Sequence, residues 1–238
     1  MIKTISKPVC VFILIFFSIP LGPDKGNGET MTKTPPGVII KLPRANLDGP
    51  VSVEQALQRR RSIRNYAKTP VSLNEVAQLL WAAQGITTGR RFRTAPSAGA
   101  LYPLEIYLVS GNVVDLPTGI YIYRPHVHDL ILMVEDDHRR DLKRAALHQG
   151  AIGRAAADIV ICAVFERVTG KYGERGIRYV FMEAGHAAQN IALQATALDL
   201  GTVPIGAFDD HRVARILQAE KNEQVIYILP VGKQMENK

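Results

Sequence analysis

Apolar positions along this chain follow two patterns. Short runs rich in β-branched, aliphatic and aromatic residues mark strands at 104–109 (Leu104-Glu105-Ile106-Tyr107-Leu108-Val109), at 119–123 and at 129–134. Arg124-Pro125-His126-Val127-His128 separates the last two, so they read as a hairpin. Ile159-Val160-Ile161-Cys162-Ala163-Val164-Phe165 is apolar without a break, which predicts a buried strand over 158–165. A last strand is predicted at 225–231. Helical spacing takes over elsewhere. Ser52-x-x-Gln55 and Ser72-x-x-Glu75 are capping boxes, each joining a side-chain acceptor to the orphan donors of a helix start. The second opens a helix with Val76, Leu79, Leu80 and Ala83 on one face. A helix is predicted over 137–148, stopped by Gly150, and another over 209–219. The longest helical signal runs from 175 to 200. Its stripe is Ile177, Val180, Phe181, Ala184, Ala188 and Ile191, and its small residues (Ala184, Gly185, Ala187, Ala188, Ala192) allow close packing. Glu183, His186, Gln189 and Asn190 on this helix are expected to be buried and bonded. Strands and helices intermix without a regular βαβ repeat, so the fold class is α+β.

Composition narrows the picture. The 238 residues are 47% hydrophobic and 21% charged, which suits one globular domain. A formal net charge of +7 comes without a basic block interleaved with aromatics, so nucleic acid is not the expected partner. The N-terminus differs in kind. Lys3 and Lys7 precede an apolar stretch from Pro8 to Leu21, the layout of a secretory signal or an uncleaved membrane anchor. Residues 1–22 are therefore set apart, 23–50 are read as a linker, and 51–238 as the folded domain. This predicts an exported, periplasmic or membrane-anchored protein, or a cytoplasmic one if the stretch does not target. Cys162 is the one cysteine of that domain; it is expected to be buried and inert.

Three segments carry candidate chemistry. Arg60, Arg61, Ser62 and Arg64 concentrate guanidinium forks and a hydroxyl within five residues, the chemistry that a phosphate needs. The same run also reads as a solvated basic helix end. Pro96-Ser97-Ala98-Gly99-Ala100-Leu101 is a run of small residues that would let backbone approach a flat ring, or an ordinary loop before a strand. Pro204-Ile205-Gly206-Ala207 lies between a short strand and a helix start. Its amides are placed to face developing negative charge, or simply to make a turn. His126 and His128 sit in a hairpin turn with no nearby acid cluster, so no metal is expected. The glycines of 170–176 are wrongly spaced for a dinucleotide loop.

In this order the three segments resemble the nitroreductase family of FMN-dependent oxidoreductases, and within it the SagB-type dehydrogenase branch, over roughly residues 51–233. The resemblance implies a nitroreductase-like central, mostly antiparallel sheet flanked by helices, with FMN at a homodimer interface. It implies FMN contacts from Arg60, Arg61, Ser62, Arg64, Pro96, Ser97, Ala98, Gly99, Leu101, Gly206, Ala207 and Lys233. The Arg60 and Gly206 segments would come from one subunit and the Pro96 segment from the other. Amides at Gly206 and Ala207 would approach the flavin N5. Many relatives have Glu-Gly there, so the amide role carries over rather than a side-chain role. Lys171-Tyr172 is similar to the pair proposed for proton transfer in azoline oxidases, which makes these two the candidate catalytic residues. The expected substrate is a small molecule or a modified peptide. The rivals are a non-enzymatic flavin-binding module at the membrane surface and an azoline-to-azole peptide dehydrogenase.

Overall fold

The computed structural model describes residues 37–89 and 92–235. The elements in chain order are β1 (Ile39–Lys41), α1 (Val53–Arg59), β2 (Val71–Ser72), α2 (Leu73–Gln84), a 3₁₀ turn (Ala98–Ala100), β3 (Leu104–Ser110), β4 (Val113–Val114), β5 (Gly119–Arg124), β6 (Asp129–Glu135), α3 (Arg139–Ala145), α4 (Gly150–Arg154), β7 (Ala157–Val164), α5 (Glu166–Tyr172), α6 (Arg175–Ala197), β8 (Leu200–Thr202), α7 (Asp210–Leu217) and β9 (Glu223–Lys233). Seven strands form one sheet in the order β1-β6-β5-β3-β7-β9-β8, each neighbouring pair antiparallel. β2 and β4 make a separate parallel pair. The fold is α+β, as the mixed pattern predicts.

The unbroken apolar run of β7 follows from its place. Ile159, Ile161 and Ala163 face Leu79, Leu80, Ala184, Ala188 and Ile191 of α2 and α6. Val160 and Cys162 face the opposite way, into Leu142, Ile152, Val213 and Leu217 of α3, α4 and α7. With helices on both faces, neither side of the strand meets water. Burial pushes the Cys162 thiol well above its ordinary value, which keeps it protonated. Both capping boxes form: Ser52 with Gln55, and Ser72 with Glu75.

Several expectations change. The segment read as linker up to residue 50 is partly folded: β1 pairs with β6, Leu42 is buried, and Asn46 N–H donates to Gln78 Oε1 at 2.8 Å. Three residues of strand were too short to register as a pattern. Gly150 starts α4 rather than stopping a helix. Leu147 and His148 make the break instead, at φ 54° and 60°. Lys171 and Tyr172 lie on the last turn of a helix, α5, not in a loop. On α6, Val180, Ala184, Ala188 and Ile191 are buried, but Ile177 and Phe181 are 44% and 52% exposed. Glu183 is buried and Asn190 Nδ2 donates to Thr94 O at 3.2 Å, whereas His186 and Gln189 are exposed. The signal-like stretch lies outside the described residues. Among those residues, no helix is long and apolar enough to cross a membrane.

Candidate functional site

The arginine segment is docked on the β8–β9 edge as an added strand. α1 ends where Arg60 N–H donates to Ala56 O at 2.9 Å. Beyond it, Ser62 bridges Thr202, Ile63 N–H donates to Thr202 O at 3.0 Å, Tyr66 bridges Gln234, and Ala67 N–H donates to Lys233 O at 2.9 Å. Two glycines make room for it. A Cβ on Gly201 would sit 2.5 Å from Ile63 Cγ2, and one on Gly232 would sit 2.8 Å from Tyr66 Cβ. The Tyr66 hydroxyl lies 2.8 Å from Ile63 O and 3.3 Å from Pro230 O, pinning the end of the segment.

This docking leaves the cations facing outward. Arg61, Ser62 and Arg64 are exposed and Arg60 is half-buried. Arg61 Nη1 caps the end of α1 through Gln58 O and Arg60 O. Among the described residues, none of the three arginines pairs with a carboxylate. Lys233 differs: its ammonium is ion-paired with Glu75. Glu75 is the reciprocal partner in the α2 capping box, so Lys233 is tied to a structural acid at the margin of the arginine set. Burial opposes ionisation of Glu75, yet Lys233 and Ser72 together hold its carboxyl below the ordinary value.

The same edge carries Gly206 and Ala207. Ile205 and Ile228 exchange both backbone hydrogen bonds at 2.9 Å, which fixes the chain just before the two residues. Just after them, Asp209 caps α7 by accepting from Arg212 N–H at 3.0 Å, and its own N–H donates to Ala145 O. Between these anchors Gly206 and Ala207 are exposed. Ala207 O accepts from Gln149 Nε2 at 2.8 Å. Neither of the two amide N–H groups has a partner among the described residues. Two free donors on a rigid turn suit a group that gains negative charge.

The third segment belongs to a different cluster. The loop over 97–102 enters the left-handed region: Gly99, Ala100 and Tyr102 have φ of 64°, 54° and 47°, which glycine adopts freely and which strains Ala100 and Tyr102. Tyr102 N–H donates to Ser97 Oγ at 2.9 Å, and Arg167 Nη1 donates to Tyr102 O at 3.1 Å. Lys171 and Tyr172 stand directly on this loop. A Cβ on Gly99 would meet Tyr172 Oη at 2.7 Å and Lys171 Nζ at 3.0 Å. The two candidate catalytic side chains therefore need a glycine beneath them. Lys171 is exposed, not buried, and its ammonium lies 5.3 Å from the Tyr172 ring centre. Tyr172 packs edge-on to Tyr179. Arg175 lies over the Tyr179 ring, 5.9 Å from its centre.

The arginine segment and the 97–102 loop sit towards opposite ends of β7. Ala157 pairs with Val231 beside the arginine segment, while Val164 N–H donates to Pro103 O beside the strained loop. The seven steps along β7 between them span roughly 23 Å at ~3.3 Å per residue. Gly206 and Ala207 follow Ile205, whose partner Ile228 pairs with Val160 near the middle of that strand. Within one chain the arginine segment and the Gly206–Ala207 turn both lie along the β8–β9 edge, and the loop at 97–102 gathers with Lys171 and Tyr172.

Beneath that loop is a polar cluster of which sequence reasoning anticipated only the buried Glu183. Arg93 Nη1 donates to Gln84 Oε1 at 2.7 Å, and its guanidinium stacks 4.4 Å from the Tyr102 ring centre. Glu183, only 2% exposed, faces Gln84, Arg93 and Ser97. Burial pushes its carboxyl up to about 7, against the stabilising pull of Ser97, Arg93 and Gln84. A polar residue on the inward side of a small-residue helix was the available sign. Arg93 gave none. On the hairpin, His128 is used structurally: Nδ1 meets Tyr123 Oη at 2.9 Å and Nε2 meets Pro43 O at 2.8 Å.

With this geometry in view, the comparisons with known proteins agree. The Nitroreductase family profile matches residues 57–233. A protein of Methanocaldococcus jannaschii named as a nitroreductase is 44% identical over 186 residues, 78% of this chain and 93% of its own. The Escherichia coli microcin B17-processing protein McbC is 29% identical over 65% of this chain and 59% of its own length. Among solved structures, a Ralstonia eutropha protein described as a nitroreductase superposes with TM-score 0.71 at 25% identity, covering 85% of this chain and 94% of that one. A chain of the Escherichia coli microcin synthetase McbBCD complex, solved with truncated pro-MccB17 bound, gives 0.66 at 26% identity, covering 75% and 70%. The sheet, the docked arginine segment and these matches together place the chain in the nitroreductase family of oxidoreductases.

Proposed function

We propose that this chain is an FMN-dependent oxidoreductase working as a homodimer, with the arginine set and the Gly206–Ala207 amides of one copy facing the 97–102 loop of the other. The observation that carries the reading is the β8–β9 edge. There, among the described residues, three arginines without acidic partners and two unbonded amides share one rigid border. These residues fit FMN. Arg60, Arg61, Arg64 and Ser62 would take its phosphate, and Gly206 and Ala207 would donate to the ring edge. Pro96, Ser97, Ala98 and Leu101 offer the small-residue surface on which a ring can lie. Bound FMN supplies two-electron hydride chemistry. The chain's own part is to fix both ends of the cofactor and to stabilise negative charge at the reduced ring. Exposed apolar residues on α1 and α6 (Val53, Leu57, Ile177, Phe181, Met182) support the homodimer, since they leave a face that a second copy would cover.

A second reading concerns the substrate. Lys171 and Tyr172, side by side on Gly99, suit a reaction in which a proton leaves with the hydride, as when an azoline of a modified peptide becomes an azole. Tyr172 would relay or orient, and Lys171 in its neutral amine form would accept the proton and become an ammonium. The deciding experiment for the main reading is chemical. Purified protein should carry flavin that chromatographs as FMN after denaturation. Arg60→Ala and Arg64→Ala should each weaken FMN binding by about tenfold or more, the worth of a charge-assisted bond, with folding unchanged. Predominant FAD, or equal retention by both variants, would overturn the reading.

A further inference from the structure

The cluster under the 97–102 loop contains three buried polar atoms with no hydrogen-bond partner among the described residues: Glu183 Oε1, Gln84 Nε2 and Arg93 Nε. Such atoms are costly, at ~1–3 kcal/mol each. They converge from three elements: α6, the end of α2 and the segment that enters the loop. The loop above them holds Ala100 and Tyr102 in the left-handed region, a conformation they keep only while their surroundings impose it. Ser97 connects the two layers. Its Oγ accepts the Tyr102 amide, and its hydroxyl also faces Glu183.

We propose that Glu183 is a positioning residue that ties the 97–102 loop, and with it the Lys171–Tyr172 pair standing on Gly99, to its own protonation: neutral Glu183 keeps the loop seated, and ionised Glu183 favours its release. The sign follows from burial. Seated, the carboxyl is desolvated and titrates at about 7; released, it meets water and returns to the ordinary carboxylate range near 4.5. The released state thus binds fewer protons, and raising the pH favours it. By linkage the opening equilibrium grows about tenfold between pH 6 and pH 8. The groups facing Glu183 do not reverse this. Arg93, Ser97 and Gln84 favour the charged form, but desolvation outweighs them. Arg93 is itself shared, lying near Glu105 on β3 and Arg167 on α5, which pair with each other. Only the consequence for Lys171 and Tyr172 rests on the flavin reading; the loop coupling does not.

Hydrogen exchange at the Tyr102 amide reads the loop without any flavin. Its protection factor, the intrinsic rate over the observed one, is measured at pH 6 and pH 8. The Ile228 amide, which donates to Ile205 O inside the sheet, reports deeper opening and should exchange more slowly at both values. Wild type should lose about tenfold in protection between the two values. Glu183→Gln, neutral and equal in shape, should lose none. A flat wild-type protection factor overturns the proposal, as does an equal drop in the variant or exchange of Tyr102 no faster than Ile228. The wild-type measurement stands even if Glu183→Gln does not fold. FMN affinity is then titrated over the same range by fluorescence quenching. It should weaken with rising pH in wild type only. If exchange bends and FMN affinity does not, the loop does not serve the site and the proposed tie to it fails. If FMN binds to neither protein, the flavin reading fails while the exchange result still tests Glu183.

Discussion

Gly201→Ala is the most direct test of how the arginine segment is presented. The added methyl would lie 2.5 Å from Ile63 Cγ2 and 2.8 Å from Ile63 Cβ. Rotating the Ile63 side chain can relieve the first contact but not the second, because Cβ moves only with the backbone. The segment carrying Ser62, Ile63 and Arg64 must therefore shift off β8, straining the bond from Ile63 N–H to Thr202 O. Overpacking of this kind costs ~1–3 kcal/mol. For a domain of this size, that lowers the melting temperature by roughly 2–12 °C. The loss of flavin affinity should exceed what the stability loss explains, because Arg60 and Arg64 move with the segment. Gly206→Ala is the internal control. Its Cβ would meet only Tyr227 Cε1 at 3.7 Å, an ordinary contact, and the amide is retained. The assays are thermal melting of the apo form and fluorescence quenching with added FMN. Ile63→Ala in the Gly201→Ala background should recover part of both losses, since contacting residues are coupled. If Gly201→Ala melts and binds like wild type, the segment is not seated on β8 as described.

Three further outcomes are expected. Asp158 is fully buried with both carboxylate oxygens unpaired among the described residues, and burial raises its carboxyl well above the ordinary value. Its stabilising contribution is complete below pH ~4 and is lost as pH rises through the raised value. Asp158→Asn should then match wild type near pH 4 and gain on the order of 1–3 kcal/mol over it at pH 8 by denaturant melts; an equal gap at both values rules out titration of Asp158. Lys171→Ala and Tyr172→Phe should keep FMN and lose ~10²–10⁴-fold in turnover of an azoline peptide, while reduction of an artificial quinone survives; equal losses on both substrates make the pair structural. Phe181→Glu should place charge on the exposed face of α6 and shift light scattering from dimer toward monomer, with flavin lost on dissociation; a flavin-loaded monomer of wild type contradicts a site shared between copies.

What the sequence revealed follows the range over which each cause acts. The capping boxes at Ser52 and Ser72 are set by residues three apart, and both form as read. The unbroken apolar run of β7 announces a strand covered on both faces, because each face obeys the same demand for burial. The β8–β9 edge was readable as two separate chemistries, a run of arginines and a turn with exposed amides. Its assembly was not, because it depends on Gly201 and Gly232 giving room to Ile63 and Tyr66 across more than a hundred residues. β1 escaped notice because three residues give too short a period. The break before α4 escaped because Leu147 and His148 adopt a left-handed conformation that neither residue type advertises.

Glu183 marks the furthest reach of such reading. Its position on the inward side of a narrow, alanine-rich helix already says that a charge is being buried, and buried charge demands a partner. The partner cannot be read the same way. Arg93 comes from a segment with no periodicity, and it reaches Gln84 and the Tyr102 ring only because Asn190 ties Thr94 to α6 and β3 leads away behind it. The strain at Ala100 and Tyr102 is likewise invisible at the level of residue type, since neither is a residue that favours the left-handed region. A buried acid without full partners under a strained loop is a combination that only tertiary structure creates. It therefore has to be found from the coordinates and tested through the loop itself.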